Sequence, residues 1–134
     1  MILILTLDNC NGLLFNNRRL SRDQAVCDHI LGICGDHKLW MNRDSASIFP
    51  ENASNIHISE KFLRKAEKGD YCFAESAELL EYLEIAEMVI IYRWNRSYPS
   101  DVKVPQDALT GKTLVSSNMF SGRSHPEITQ EVYQ

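Results

Sequence analysis

The chain has 134 residues, enough for one domain and for a core that buries roughly two-thirds of the unfolded surface, so neither a disulfide nor a metal is needed for folding. With 44% hydrophobic and 24% charged residues, six glycines and four prolines, it falls outside the disordered, collagen-like and coiled-coil classes. Fourteen Lys and Arg against 18 Asp and Glu give a formal charge of −4 and a pI near 5.5, which opposes the basic field that nucleic-acid binders exploit.

Met1–Leu7 is aliphatic on both faces, the pattern of a central strand covered by helices on each side of a sheet. The run is too short to span a bilayer, no Lys or Arg precedes it and no small-residue cleavage site follows, so a cytoplasmic protein without a membrane segment is expected. Cys10, Cys27, Cys34 and Cys72 are scattered and form no C-x-x-C pair, which reads as reduced thiols. Asp8–Gly12 carries turn chemistry, and Asn11-Gly12 suits positive φ. Leu13–Phe15 is again apolar, before the polar run Asn16–Arg19.

A helix is predicted from Ser21, with Gln24 completing a capping box. Val26, Ile30 and Ile33 form its apolar stripe, widened by Cys27, Leu31 and Cys34, and Gly35 ends it. Lys38–Met41 reads as a short strand, Ser47–Asn55 as loop and Asn55–Ile58 as a brief strand. Ser59 is predicted to cap a second helix carrying Phe62, Leu63 and Ala66, closed by Gly69. Asp70–Ala74 then reads as strand, Ala77–Ile85 as a short amphipathic helix and Glu87–Trp94 as the second strongly β-like run. Lys112–Ser116 and Ile128–Tyr133 are predicted closing strands. Alternating elements followed by consecutive strands indicate a single α/β domain over 1–134 with an antiparallel C-terminal addition.

Few constellations point to chemistry. Cys27, His29, Cys34 and His37 lie close in sequence, but Cys27 and Cys34 fall on the apolar stripe, where core cysteines belong; no zinc site is expected. Ser124-His125 are adjacent, which gives no triad geometry, and there is no G-x-S-x-G, P-loop or G-x-G-x-x-G. Two basic clusters remain, Arg18-Arg19-x-x-Arg22 and Arg93-Trp94-Asn95-Arg96 with Tyr98. Such mixtures of cations and aromatics stack on bases, cover a core edge or form a protein interface.

Taken in order, the motifs resemble a reduced dihydrofolate reductase. Met1–Gly12 is similar to that family's first strand and Asn-Gly turn, and Leu20-Ser-Arg-Asp23 resembles its L-P-x-D. Leu39–Ser45 is similar to V-M-G-R-x-T, Ser100–Pro105 to D-T-x-F-P and Ser124–Tyr133 to the closing S-H-x-Y-x-F-E-x-Y. The resemblance implies a mixed sheet, mostly parallel with antiparallel C-terminal strands and helices on both faces. It implies Asp23 as the carboxylate that grips a pterin, and Arg43 and Ser45 as contacts to the phosphates of NADPH.

The departures fall on the site itself. Asn17-Arg18-Arg19 stands where the family has L-P-W, and Glu75-Ser76 where it has a Gly-Gly turn. A Cβ and a carboxylate at that turn would obstruct and repel a pyrophosphate. The segment between Pro50 and Gly69 is also short for an adenosine-binding strand and helix. The expectation is therefore a non-catalytic binding or interaction protein on a degenerate scaffold, with no cofactor. Its contact surface is placed at Trp94, Arg96, Tyr98, Arg18 and Arg19, toward a protein or small-molecule partner. The alternatives are a divergent NADPH-dependent reductase of a pterin-like substrate and an RNA-binding or processing protein.

Overall fold

The computed structural model describes residues 1–134. The strands are β1 (Ile2–Leu7), β2 (Gly12–Phe15), β3 (Arg18–Arg19), β4 (Leu39–Met41), β5 (Ile56–Ile58), β6 (Tyr71–Phe73), β7 (Met88–Arg93), β8 (Val102–Lys103), β9 (Leu114–Phe120) and β10 (Ile128–Tyr133). The helices are α1 (Gln24–Cys34), α2 (Arg43–Ala46) and α3 (Phe62–Lys65), with a 3₁₀ helix over Ala77–Glu81. Seven strands form one sheet in the order β5-β4-β6-β1-β7-β10-β9, and β3-β2-β8 form a small second sheet. β5, β4, β6, β1 and β7 pair in parallel, whereas β10 runs antiparallel to both β7 and β9.

The doubly aliphatic sequence of β1 explains its central place. Leu3, Leu5 and Leu7 enter a core with Phe62 and Leu63 of α3 and with Leu79 and Leu83. Ile4 enters a second core with Val26, Cys27, Ile30 and Cys34 of α1. β7 divides in the same way, Val89 and Ile91 to the first core and Ile90 and Tyr92 to the second. Because side chains alternate along a strand, a run apolar at every position is stable only where both sheet faces are covered. Each side chain so buried contributes roughly 1.5–3 kcal/mol relative to exposure. No helix is long and apolar enough to cross a membrane.

Several element boundaries differ from the sequence reading. Asn16 and Asn17 both take positive φ, 51° and 63°, and make the two-residue turn of a β2–β3 hairpin pairing Phe15 with Arg18. The polar run is thus a hairpin tip and its second strand. α1 starts at Gln24, capped by Asp23, whose carboxylate accepts from the Ala25 N–H; the Ser21 hydroxyl is turned elsewhere, so the Ser21–Gln24 capping box does not form. Gly35 ends α1 at φ 54°, its N–H donating to the Leu31 carbonyl. Ala77–Ile85 is reduced to the 3₁₀ helix, and the strand expected at Lys112–Ser116 runs instead over Leu114–Phe120.

Candidate functional site

In sheets of this kind, ligands bind beyond the carboxyl ends of strands whose connections leave in opposite directions. Here those strands are β1 and β6. The chain leaves β1 toward β4 and leaves β6 toward β7, on the other side of β1. Thr6, Ser21, Asp23, Glu75 and Trp94 border the crevice at their ends.

Asp23 is buried, its side chain wholly so. Its carboxylate accepts from the backbone N–H groups of Ala25, Arg123, Ser124 and His125 at 2.8–3.1 Å. It accepts as well from the Ser124 hydroxyl at 3.0 Å and from His125 Nδ1 at 3.0 Å. Burial would raise its pKa, but the donors from Arg123, His125, Ala25 and Ser124 outweigh it and hold the carboxyl well below the usual range. A carboxylate has about four lone-pair sites, so these donors saturate it. Asp23 thus closes one loop of the chain onto α1, its lone pairs met by the chain's own donors.

Gly122 permits that wrapping. A Cβ there would lie 2.6 Å from Asp23 Oδ2, 2.7 Å from the His125 carbonyl oxygen and 2.7 Å from Ile128 Cδ1. Gly122→Ala is expected to cost about 1–3 kcal/mol by forcing these groups apart. Gly32→Ala, at an exposed position of α1 where a Cβ meets nothing within 4 Å, is expected to gain about 0.5–1 kcal/mol through helix propensity. Urea melts of both variants check the pair, and equal stability changes would contradict the close approach.

His125 is buried and stacked on Trp94 at 4.6 Å between ring centroids. Asp23 is acceptor-only when ionised, so His125 Nδ1 carries the proton between them. Nε2 faces both Ser21 Oγ and Tyr98 OH at 3.0 Å. The connectivity Ser21–His125–Asp23 is that of a nucleophile triad, but Nε2 is shared with Tyr98. The void beside Ser21 and Trp94 holds only about 10 Å³, room for one water at most and none for an acyl group. The network ties Ser21, Tyr98 and the 122–125 loop together. Ser124 was read from sequence as the serine beside His125; Ser21, a hundred residues away, is the one that reaches Nε2.

Paired charges cross the other flank of the crevice. Glu75, whose side chain is 5% exposed, receives both Nε and a terminal nitrogen of Arg19 at 2.9 and 3.0 Å, and the Ser45 hydroxyl at 2.8 Å. Arg19 also pairs with Asp44 at 3.0 Å. Ser45 is buried, its N–H taken by the Asn42 side chain. Arg43 projects into solvent, and its N–H donates to Glu60 at 3.0 Å. The N–H groups that would cradle a phosphate at α2 therefore already hold the chain's own oxygens, one of them anionic. An anion reaching these N–H groups would have to displace Glu60 from the Arg43 N–H and approach Glu75, which holds the Ser45 hydroxyl.

The expected contact surface is also revised. Trp94 is 2% exposed and serves the second core, because the strand end it caps lies over His125. Tyr98 is half-buried with its hydroxyl on His125, and Arg19 is consumed by Glu75. Arg18 and Arg96 remain exposed. Arg93 is likewise neutralised, pairing with Glu131 at 2.7 Å. Cys27 and Cys34 are core thiols pushed up to about 12 by burial first of all. His29 meets Tyr92 OH at 2.7 Å and His37 the Cys34 carbonyl, so the four metal-type residues diverge.

An open groove of about 500 Å³ adjoins the void beside Ser21 and Trp94, between the start of α1 and Ser47–Pro50, and Arg22, Asp23, Cys27 and Ile48 line both. Phe49 and Pro50 give it an apolar wall, and Arg22, Gln24, Arg123 and Ser124 a polar rim.

Comparison with known proteins bears on the fold. No family model and no curated protein matches the sequence. Among solved structures, the chain is similar to dihydrofolate reductase from Enterococcus faecalis complexed with NADP(H) and RAB-propyl. The TM-score is 0.67 at 10% sequence identity, covering 99% of this chain and 94% of that one. The chain thus has a dihydrofolate reductase-like fold, with the mixed sheet and two-sided helix cover that the motif order implied.

Proposed function

We propose that this dihydrofolate reductase-like chain is a non-catalytic binding protein that uses neither NADPH nor a pterin. The observation that carries this reading is the filling of the crevice by the chain's own charges: Glu75 holds Arg19 and Ser45 on one side, and six donors saturate Asp23 on the other. Hydride transfer needs a nicotinamide and an acceptor held together away from water, and the void between Ser21, Glu75 and Trp94, about 10 Å³, leaves no room there for a nicotinamide ring beside the open groove.

Binding is assigned to the groove beside α1, whose Phe49–Pro50 wall and arginine rim suit a ligand with an apolar body and an anionic end. The RNA reading has less support, because Arg19 and Arg93 of the two basic clusters are paired with carboxylates.

The test is a titration with NADPH, alone and with dihydrofolate. The buried, stacked Trp94 should make protein fluorescence sensitive to any opening of the crevice. At millimolar NADPH, fluorescence and melting temperature are expected to stay unchanged, and NADPH absorbance to persist with dihydrofolate present. A melting-temperature rise of several degrees, the signature of ligand binding the native state, would overturn the proposal.

A further inference from the structure

The two edges of the main sheet are built differently. β5 at one edge has three residues, too short to template much pairing. β9 at the other has seven, Leu-Val-Ser-Ser-Asn-Met-Phe, all exposed except the half-buried Phe120. Natural edges are blunted by charge, proline, inward-pointing lysine or brevity. β9 has no charge, proline or brevity; its one irregularity is a bulge at Val115, where Val132 pairs with Ser116 and Tyr133 with Leu114. Leu114, Val115 and Met119, 48%, 50% and 61% exposed, are half of the large apolar side chains that the whole molecule leaves in solvent.

The order of residues says what fits this edge. Laid antiparallel to itself about a two-fold axis at Ser117, the strand sets Ser116 against Asn118 and, across the bulge at Val115, Leu114 and Val115 against Met119 and Phe120. Ser117 then meets its own copy. Apolar residues face apolar ones, polar face polar, and no charge meets a like charge despite the net −4 of each chain. Cross-strand pairs of this kind are the unit of sheet stabilisation, and a self-complementary patch is what a two-fold interface requires.

We infer that β9 is a homodimerisation strand, joining two copies edge to edge into one continuous sheet. A seven-residue strand pair covers less than a standard interface of about 800 Å² per partner, so the dimer is weak, with a dissociation constant on the order of micromolar. The axis at Ser117 lies on the open side of the edge strand, before the 122–125 loop that meets Asp23, and the inference rests on that edge rather than on the binding function proposed above.

Sedimentation of the full chain from about 1 µM to 1 mM is expected to show a monomer converting to a dimer. Ser117→Lys sets two ammonium groups against each other on an exposed strand and should weaken association about tenfold or more, with the monomer's melting temperature kept. Ser117→Cys is the second test, in a Cys10→Ser background because Cys10 is the exposed native thiol. Mild oxidation should link the introduced thiols into a covalent dimer, since directly opposed positions bring Cβ atoms about 4.5–5.5 Å apart. A wild type that stays monomeric throughout the range overturns the inference, including the case where the edge accepts a strand from another protein. A dimer that survives Ser117→Lys, or that fails to cross-link through Ser117→Cys, also overturns it.

Discussion

Asp23→Asn is expected to destabilise the fold by about 3–5 kcal/mol, the range for leaving buried charge partners and donors uncompensated. The amide keeps the shape but presents an NH₂ to a ring of N–H and O–H donors: Ala25, Arg123, Ser124 and His125. At least one buried donor is then orphaned. Denaturant unfolding reads the loss. A cost within about 0.5 kcal/mol, typical of a surface substitution, would contradict the saturated carboxylate.

The pH dependence gives the same residue a second signature. The Asp23 carboxyl sits below its ordinary range in the folded chain, so the unfolded chain takes up the proton first as pH falls. Its contribution is fully present above the unfolded value of about 3.9 and is lost as pH drops through the folded value. Asp8 behaves in the same direction: burial would raise it, but N–H groups of Tyr98, Gly12 and Cys10 outweigh that. Wild type should therefore lose stability steeply below about pH 4. Asp23→Asn should show a shallower slope there, smaller by up to one bound proton. Equal slopes would mean that Asp23 titrates alike in both states.

Arg19→Ala is the second large effect, with an expected cost of about 2–3 kcal/mol. It strands Glu75, 5% exposed in its side chain, with Ser45 alone as partner. The cost is set below that of a fully buried pair because Arg19 is itself 20% exposed. Removing both partners should hurt less than the two single losses suggest, because the charge left behind, rather than the missing contact, dominates the penalty. A double-mutant cycle with Glu75→Ala should give a coupling of at least about 1 kcal/mol. Additive losses would show that Arg19 and Glu75 do not act as a pair. Arg19→Lys should recover only part of the loss, since an ammonium cannot reproduce the two-point contact of the guanidinium with Glu75.

Local signals carried much of the fold. The aliphatic continuity of Ile2–Leu7 marked a strand buried on both faces, and it lies at the centre of the sheet. Gly35 marked the end of α1, and Ile128–Tyr133 emerges as the strand expected there. The hairpin at Asn16-Asn17 was legible in principle, because two asparagines between strands suit the left-handed turn. It was obscured by the shortness of β3, which leaves no periodicity to detect.

The candidate site was legible only in its ingredients. Asp23, Glu75 and Ser45 could each be singled out by chemical type, and Glu75 already argued against a pyrophosphate. Which oxygen met which donor could not be read. Asp23 finds its partners at 123–125, 100 residues away or more, and Glu75 finds Arg19 at a separation of 56 residues. Trp94 was misplaced for the same reason: a Trp among arginines resembles a contact surface until the loop carrying His125 covers it.

By itself, then, the order of amino acids determined the two-sided core, the alternation of strands and helices and the lack of glycines where a pyrophosphate would lie. These follow from side-chain periodicity and backbone freedom, which act over a few residues. Only the tertiary structure decided that Asp23 meets the donors of the 122–125 loop, that Glu75 meets Arg19 and Ser45 and that the uncharged strand β9 is left at an open edge. Those outcomes depend on strand order, which brings distant loops together through burial spread over the whole sheet rather than through any one segment.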